Sequence, residues 1–127
     1  MGTRERSMND FQERIKRFAE ERNWSQFHNP KDLLLGIVEE VGELRNIVKW
    51  EQDMGTLKKV LEKNRDEVEN NIGDIYWFLA LLANGVDIDI DEAIDKVIKE
   101  NEGRFPVSDT KSKHTNTYLG GKDKQYD

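Results

Sequence analysis

The apolar residues of this chain recur at the spacing of helix faces. In four stretches they stand three, four or seven positions apart, which is the period of an amphipathic helix and not the alternation of a strand. No stretch gives a convincing strand signal. We therefore predict an all-α fold built as a four-helix bundle. The predicted helices cover residues 8–22, 31–51, 65–83 and 91–103, with a short additional helix over residues 56–63.

Polar residues mark several of the predicted helix ends. Asn9 is a candidate N-cap of the first helix, and Ser7 competes for the same role. The pair Asn84-Gly85 is a strong signal for the end of the third helix.

The composition of the chain changes after Pro106. From residue 108 onwards the sequence is polar, contains glycine and is nearly free of aliphatic residues. Such a segment is expected to be flexible or to fold over a neighbour. We therefore predict one helical domain over residues 1–107 and a polar, flexible tail over residues 108–127.

The two central helices carry more apolar surface than one small bundle covers. In the third helix residues 75–83 are apolar all round, and such a helix must be covered on every side. We therefore expect a homodimer or a homotetramer, with a subunit interface through Trp77 and Leu81. The second helix carries a predicted core stripe that consists of Leu33, Leu34, Ile37, Val38, Val41, Leu44 and Val48.

Acidic and amide side chains interrupt these two apolar runs at matching spacing. Glu40 and Glu43 lie in the first run, and Asn71 and Asp74 lie in the second. Residues three apart on a helix are about 60° apart around its axis, so each pair shares one face. Carboxylates placed this way on facing helices repel each other unless a positive group lies between them. The spacing therefore predicts a divalent metal site.

Magnesium suits these ligands because it prefers hard oxygen donors, and Mn²⁺ is a possible substitute. The competing interpretation is a solvated helix face, which most such glutamates form. Here the two glutamates border the core stripe, and Gly36 and Gly42 leave little side-chain bulk on the helix surface beside them. The metal interpretation is therefore favoured for Glu40, Glu43 and Asp74 as a set, although each residue alone would favour the solvated face.

Charge and composition exclude several classes of function. The formal net charge is -6, from 20 Lys and Arg against 26 Asp and Glu, whereas a protein that binds nucleic acid duplexes carries a basic face. With no cysteine and two histidines, thiolate zinc sites and thiol nucleophiles are excluded. The N-terminal residues lack the apolar core of a signal peptide, and the longest apolar stretch is too short to span a bilayer. We expect a cytoplasmic protein that does not contact membranes.

Four ordered segments of the chain carry a family resemblance. They read FAEERNWSQFHNP at residues 18–30, EVGEL at residues 40–44, Gly73-Asp74, and NEGRFP at residues 101–106. Together they resemble the MazG-type all-α nucleoside triphosphate pyrophosphohydrolases, and within them most of all the dCTP pyrophosphatase branch. The resemblance implies an oligomeric helical enzyme. It also implies hydrolysis of a (deoxy)nucleoside triphosphate to the monophosphate and pyrophosphate with Mg²⁺.

The resemblance implies roles for individual acidic residues. Glu40 and Glu43 match the family's Glu-x-x-Glu metal motif in full, and Asp74 matches the end of its Glu-x-x-Asp motif. Asn71 stands where that second motif has glutamate. Its amide oxygen is able to ligate Mg²⁺ but brings no charge, so we expect weaker metal binding. Glu39 or Glu40 is the expected general base.

Further residues are implied to contact the nucleotide. Trp24, His28 and Trp50 correspond to the aromatic positions that bracket the base, and ordinary packing is their alternative role. Asn101 matches a position near the sugar or the phosphates. Lys96 is the candidate for a phosphate contact, although the family's usual lysine position lies one residue further on and holds valine here.

Three functions follow from these observations. The first is Mg²⁺-dependent hydrolysis of dCTP or a related pyrimidine nucleotide, which would control the nucleotide pool. The second is a nucleotide-binding sensor whose hydrolysis is weakened or lost because Asn71 replaces a metal-ligand glutamate. The third is a structural helical oligomer with incidental carboxylates. The acidic residues beside the core disfavour it, and so does the aromatic loop, which covers residues 23–30 and contains Trp24, Phe27 and His28.

Overall fold

The computed structural model describes residues 9–110, 113–114 and 124–125. Helices dominate this part of the chain, so the all-α prediction is confirmed. Short 3₁₀ turns lie at Ser25–Phe27 and Met54–Thr56, and two-residue strands β1 (Lys113–His114) and β2 (Lys124–Gln125) pair antiparallel within the predicted tail. The helices are α1 (Asp10–Glu21), α2 (Pro30–Asn46), α3 (Leu57–Lys63), α4 (Arg65–Gly85), α5 (Ile90–Arg104) and α6 (Val107–Thr110).

The predicted long helices correspond to α1, α2, α4 and α5, and the short additional helix corresponds to α3. The chain divides into two compact units, with the boundary between Asp91 and Glu92 near the start of α5. Most of the predicted tail lies outside the described residues, so its flexibility and the division at residue 107 stay predictions. In the described part of the chain, none of the helices combines the length and the apolar character needed to cross a membrane.

Local sequence signals set the start of α2. The Asn29 side chain accepts a hydrogen bond from the backbone N–H of Asp32 at 2.9 Å and donates to its carboxylate at 2.8 Å. Pro30 follows at the first helical position, where its missing N–H costs nothing. The aromatic loop therefore leads into α2 at a fixed residue.

The end of α2 differs from the prediction. The helix ends at Asn46 and not at residue 51, and residues 47–50 form turns. Here the N–H groups of Ile47 and Val48 donate to carbonyls three residues back, at 3.3 and 3.1 Å, which tightens the last turn. Both are β-branched residues, which lose side-chain freedom in a helix. Trp50 therefore lies beyond the helix that carries the glutamates.

The core of the first unit forms where α1, α2 and α4 meet. Ala19, Leu33 and Leu81, one from each helix, are buried together. The partly buried side chains of Ile15, Trp77, Phe78 and Leu82 pack against them. The predicted subunit interface through Trp77 and Leu81 is therefore wrong for Leu81, which is buried inside its own chain.

The predicted core stripe of α2 separates into two faces. Leu33 is buried, and Ile37, Leu44 and Val48 are half-buried. The remaining members of the stripe are exposed, because α4 covers α2 from one side and the stripe is wider than that contact. These exposed residues are Leu34, Val38 and Val41, which stand at helical positions i, i+4 and i+7.

A buried amide holds α1 to the turn that follows α4. The Gln12 side chain is fully buried, and its Nε2 donates to Asn84 Oδ1 at 3.0 Å and to the Ile88 carbonyl at 2.7 Å. Its Oε1 accepts from the Ile90 N–H at 2.9 Å. Asn9 caps α1 as predicted, because its Oδ1 accepts from the Gln12 N–H at 2.6 Å. The competing cap, Ser7, lies outside the described residues.

The end of α4 is shifted from the predicted Asn84-Gly85 signal. The helix includes Gly85 and has Val86 as its C-cap. The left-handed backbone conformation falls on Asp87, with φ of 56°. Asn84 accepts a hydrogen bond from Gln12 within the last turn of the helix, which continues to Gly85.

Candidate active site

The structure brings the predicted acidic residues of α2 and α4 together. The Nδ2 atom of Asn71 donates to Glu40 Oε1 at 3.2 Å and to Glu43 Oε1 at 3.4 Å. Asp74 lies close enough to Glu40 for its negative charge to raise the pKa of the Glu40 carboxyl. The four side chains predicted as metal ligands therefore converge where the two helices face each other.

Helix periodicity explains why a glutamate lies at the edge of the core. Glu40 follows Leu33 and Ile37 at helical positions i, i+4 and i+7, so it continues their inward-facing row. It is half-buried, whereas Glu39 and Glu43 beside it are exposed. On α4 the facing side chain is Asn71, which is 2% exposed.

The electrostatics of the cluster show an excess of negative charge. The hydrogen bond from Asn71 lowers the pKa of the Glu40 carboxyl, but burial and the charges of Glu43 and Asp74 oppose it. A hydrogen bond with Asp74 acts in the same raising direction, and the net pKa of Glu40 lies above its ordinary value. The single amide of Asn71 therefore does not fully compensate the three carboxylates.

The donor atoms of this cluster fit a hard divalent cation. They are carboxylate oxygens together with Asn71 Oδ1, which is buried and has no hydrogen-bond partner. In the described part of the chain, however, no three histidine, aspartate or glutamate side chains are already arranged around a metal position. Glu40 and Glu43 are turned toward the Asn71 amide instead. The chemistry of the residues fits Mg²⁺, and the side chains need to rearrange to hold it.

An open groove of about 430 Å³ lies beside the carboxylates. Both candidate general bases, Glu39 and Glu40, line it together with Glu43. Phe78 of α4 forms part of its wall and packs against Gly36, where a Cβ atom would come within 2.9 Å of the ring. The groove is therefore an exposed acidic surface with one aromatic wall.

The predicted base-binding aromatic residues lie in two separate places. The rings of Trp24 and His28 meet edge to face with centroids 6.4 Å apart, and Trp24 also packs against Phe18 at 5.6 Å. Trp50 is 83% exposed, and the ammonium group of Lys49 lies 5.0 Å from its ring centroid. None of these predicted rings is among the described residues that line the carboxylate groove.

The remaining predicted contacts, Lys96 and Asn101, lie on α5 in the second compact unit. Lys96 is exposed and Asn101 is half-buried. Their roles in binding the nucleotide stay predictions.

Sequence reasoning did not single out two residues of this region. Asn70 donates through Nδ2 to Asp74 Oδ2 at 3.3 Å, and its position four residues before Asp74 was the available signal. Phe78 lies inside the apolar run of residues 75–83, which does not distinguish it from its neighbours. Its contact with Gly36 depends on how α2 and α4 approach, which no local pattern reveals.

Fold and site together define an all-α protein with an acidic groove beside two packed helices. The sequence profile described as the MazG-like family matches residues 38–117, which is more than half of the chain and includes all four clustered side chains. The chain therefore belongs to the MazG-like family.

The chain is also similar in sequence to curated proteins and in structure to a solved protein. The proteins called dCTP pyrophosphatase 1 from Rattus norvegicus and Homo sapiens are 33% and 31% identical over 104 residues, 81% of this chain. That region is 61% of each relative, so the chain spans about three fifths of the length of these curated relatives. The crystal structure of a pyrophosphatase from Archaeoglobus fulgidus matches with a TM-score of 0.71 and 29% identity, covering 84% of this chain and 98% of that one.

Proposed function

We propose that this protein hydrolyses a (deoxy)nucleoside triphosphate, dCTP or a related pyrimidine nucleotide, to the monophosphate and pyrophosphate with Mg²⁺. The observation that carries the proposal is the convergence of Glu40, Glu43 and Asp74 beside an open groove. The names of the relatives, dCTP pyrophosphatase and pyrophosphatase, support the reaction class and suggest the base.

The carboxylates of Glu40, Glu43 and Asp74, with Asn71 Oδ1, are the groups that would hold the cation. A bound Mg²⁺ would screen the phosphate charge and lower the pKa of a bound water. The residues themselves contribute position and charge: they lie on two packed helices, which fix the spacing of their backbone positions before the substrate arrives. Mn²⁺ is expected to substitute because it accepts the same oxygen ligands.

Glu39 is the favoured general base. Glu40 is one of the groups that would hold the cation, and its Oε1 already accepts a hydrogen bond from Asn71 at 3.2 Å, so its carboxylate is committed to other contacts. Glu39 lines the same groove and is exposed, which leaves it accessible to a water molecule. It would accept a proton from that water as the water attacks the α-phosphorus and pyrophosphate leaves.

Substrate recognition is proposed for the residues that the family resemblance implicates. Trp24 and His28 already contact each other, and the exposed ring of Trp50 is free to stack on a base. Lys96 and Asn101 are proposed to contact the phosphates or the sugar. The net charge of -6 favours free nucleotides held through a metal over nucleic acid duplexes, and we place the activity in the cytoplasm.

A homodimer is the proposed minimum assembly, with a homotetramer as the larger alternative. The exposed stripe Leu34, Val38 and Val41 supports it, because it forms a continuous apolar row along α2 in the isolated chain. Exposed apolar patches of this kind commonly mark protein interfaces. This stripe replaces Leu81 as the expected contact.

Product analysis tests the activity. The full chain is incubated with each (deoxy)nucleoside triphosphate and Mg²⁺, and monophosphate plus pyrophosphate is separated from diphosphate plus phosphate. Formation of monophosphate and pyrophosphate that stops on chelation is the expected result. Diphosphate and phosphate as products, or no product from any nucleotide, would contradict the proposed reaction.

A nucleotide-binding sensor is the second candidate, and the hydrogen bonds of Asn71 favour it specifically. In the structure the Asn71 amide donates hydrogen bonds to both glutamates, and it brings no negative charge to a metal site. The sensor would be stabilised by nucleotide without forming product, and Asn71→Glu would restore turnover. Turnover by the unaltered chain as fast as that of Asn71→Glu would exclude this alternative.

A further inference from the structure

Asn71 is the group that offsets the charge of the glutamate pair in this structure. Its Nδ2 donates to one carboxylate oxygen of Glu40 and to one of Glu43. Hydrogen bonds to ionised acceptors are stronger than neutral ones. The side chain is 2% exposed, so water does not provide an alternative partner for this amide.

The orientation of the amide is fixed by these two bonds. If the side chain were turned round, Oδ1 would face two carboxylate oxygens and repulsion would replace both hydrogen bonds. The observed orientation instead leaves Oδ1 buried with no hydrogen-bond partner. An unpaired buried acceptor is unfavourable and uncommon in native proteins. The two hydrogen bonds donated by Nδ2 therefore fix the amide, although Oδ1 is left without a partner.

We propose that the Asn71 amide is a reversible substitute for a bound divalent cation. In the metal-free protein its NH₂ group donates to Glu40 and Glu43. When a cation binds, the amide turns about its Cβ–Cγ bond and presents Oδ1 instead, which gives the unpaired oxygen a partner. This inference rests on the metal dependence of the proposed function, but it concerns a property of this chain that a glutamate at position 71 would not provide.

The residue at position 71 therefore sets an exchange between the stability of the metal-free fold and the affinity for the cation. A glutamate or aspartate at position 71 adds a negative charge beside Glu40 and Glu43, which destabilises the metal-free fold and strengthens cation binding. Asparagine stabilises the metal-free fold, and the cation must displace two hydrogen bonds in order to bind. The chain is thus folded without metal and responds only to higher cation concentrations.

Thermal unfolding of the full chain tests this exchange. Melting temperatures are measured in chelator and then during titration with Mg²⁺ alone, without nucleotide, for the unaltered chain and for Asn71→Asp. The isosteric substitution is expected to lower the melting temperature in chelator by several degrees. It is also expected to move the midpoint of the Mg²⁺ response about tenfold lower in concentration, since one further charged ligand is present.

Gln52→Glu is the control because it adds one negative charge at an exposed position beyond the end of α2, nine residues after Glu43. It is expected to change both quantities much less. Equal effects of the two substitutions, or a melting temperature of Asn71→Asp in chelator that equals that of the unaltered chain, would overturn the proposal. A chain whose melting temperature does not respond to Mg²⁺ in either form would also overturn it.

A second variant covers the case in which Asn71→Asp does not fold in chelator. Adding Glu40→Gln removes one of the four crowded charges of Asn71→Asp, so the double variant is expected to regain a cooperative unfolding transition near that of the unaltered chain. Failure to regain it would contradict the charge argument. Because nucleotide is absent throughout, the proposed reaction is tested separately. If the melting temperatures and Mg²⁺ midpoints shift as expected but no pyrophosphate is formed from any nucleotide, only the proposed enzyme activity is contradicted.

Discussion

The ring of Phe78 fills the space beside Gly36 so closely that a Cβ atom on Gly36 would lie 2.9 Å from two ring carbons. Real Cβ atoms essentially never approach other atoms to this distance. The contact joins α2 to α4 at a position four residues before Glu40. The close approach of the two helices that requires glycine at position 36 therefore also brings Glu40 to Asn71.

Replacing Gly36 with alanine is expected to destabilise the fold despite the better helix propensity of alanine. The added methyl group must push the Phe78 ring or separate the helices, and overpacking of this kind costs about 1–3 kcal/mol. The propensity gain offsets at most about 1 kcal/mol. Chemical denaturation of Gly36→Ala measures the difference.

Gly42→Ala is the control for this substitution because it lies on the same helix and its added Cβ would meet no atom within 4 Å. It is expected to stabilise the protein by up to about 1 kcal/mol. A Gly36→Ala variant as stable as Gly42→Ala would contradict the packing argument.

Replacing Glu43 with glutamine is expected to reduce turnover by more than about a hundredfold and to leave the fold intact, because one charged ligand is lost from an exposed position. Turnover is followed by pyrophosphate release, and folding by circular dichroism. Glu69→Gln on α4 removes a charge that is paired with Arg65 on the exposed surface, so it should retain activity. Full activity of Glu43→Gln would show that Glu43 is not part of the active site.

Removing the buried amide of Gln12 is expected to destabilise the fold by about 2–4 kcal/mol. Gln12→Leu keeps the volume but leaves the Ile88 carbonyl and the Ile90 N–H without their side-chain partner, and each unsatisfied buried group is costly. Denaturant unfolding measures the loss. Gln26→Leu is the control, since Gln26 is exposed and donates to the Asn23 carbonyl of its own loop, and it should change stability by less than about 0.5 kcal/mol.

Introducing a charge at Val38 tests the proposed assembly. Val38 is 66% exposed in the centre of the apolar stripe of α2, so Val38→Lys is expected to shift the protein toward the monomer. Light scattering after size exclusion gives the mass. Val86→Lys, at the C-cap of α4, should leave the mass unchanged, and a dimer that survives Val38→Lys would exclude this stripe as the interface.

The exposed ring of Trp50 is expected to contribute to substrate affinity more than to the chemical step. Trp50→Leu removes a stacking surface and should raise KM about tenfold with little change in kcat. Steady-state kinetics separate the two constants. Phe27→Leu, another exposed aromatic residue, provides the comparison, and an unchanged KM in Trp50→Leu would exclude a role in base binding.

The sequence by itself determined which stretches form α1 to α5 and the faces on which their polar residues lie, but not where α2 and α4 end. Helical spacing placed Glu40 and Glu43 together on α2, and Asn71 and Asp74 together on α4, because this geometry depends only on positions along one helix. Caps such as Asn9 and Asn29 are equally local, since donor and acceptor lie three residues apart. For the same reason the all-α fold was predictable without knowledge of packing.

The tertiary structure decided everything that depends on how the helices meet. It separated the stripe of α2 into buried Leu33 and exposed Val38, because α4 covers one side of it. It placed Leu81 inside the chain and turned the Asn71 nitrogen toward the glutamates while leaving the oxygen unpaired. Burial and hydrogen-bond partners arise between residues far apart in sequence, so the local pattern that defines a helix face does not determine what that face contacts.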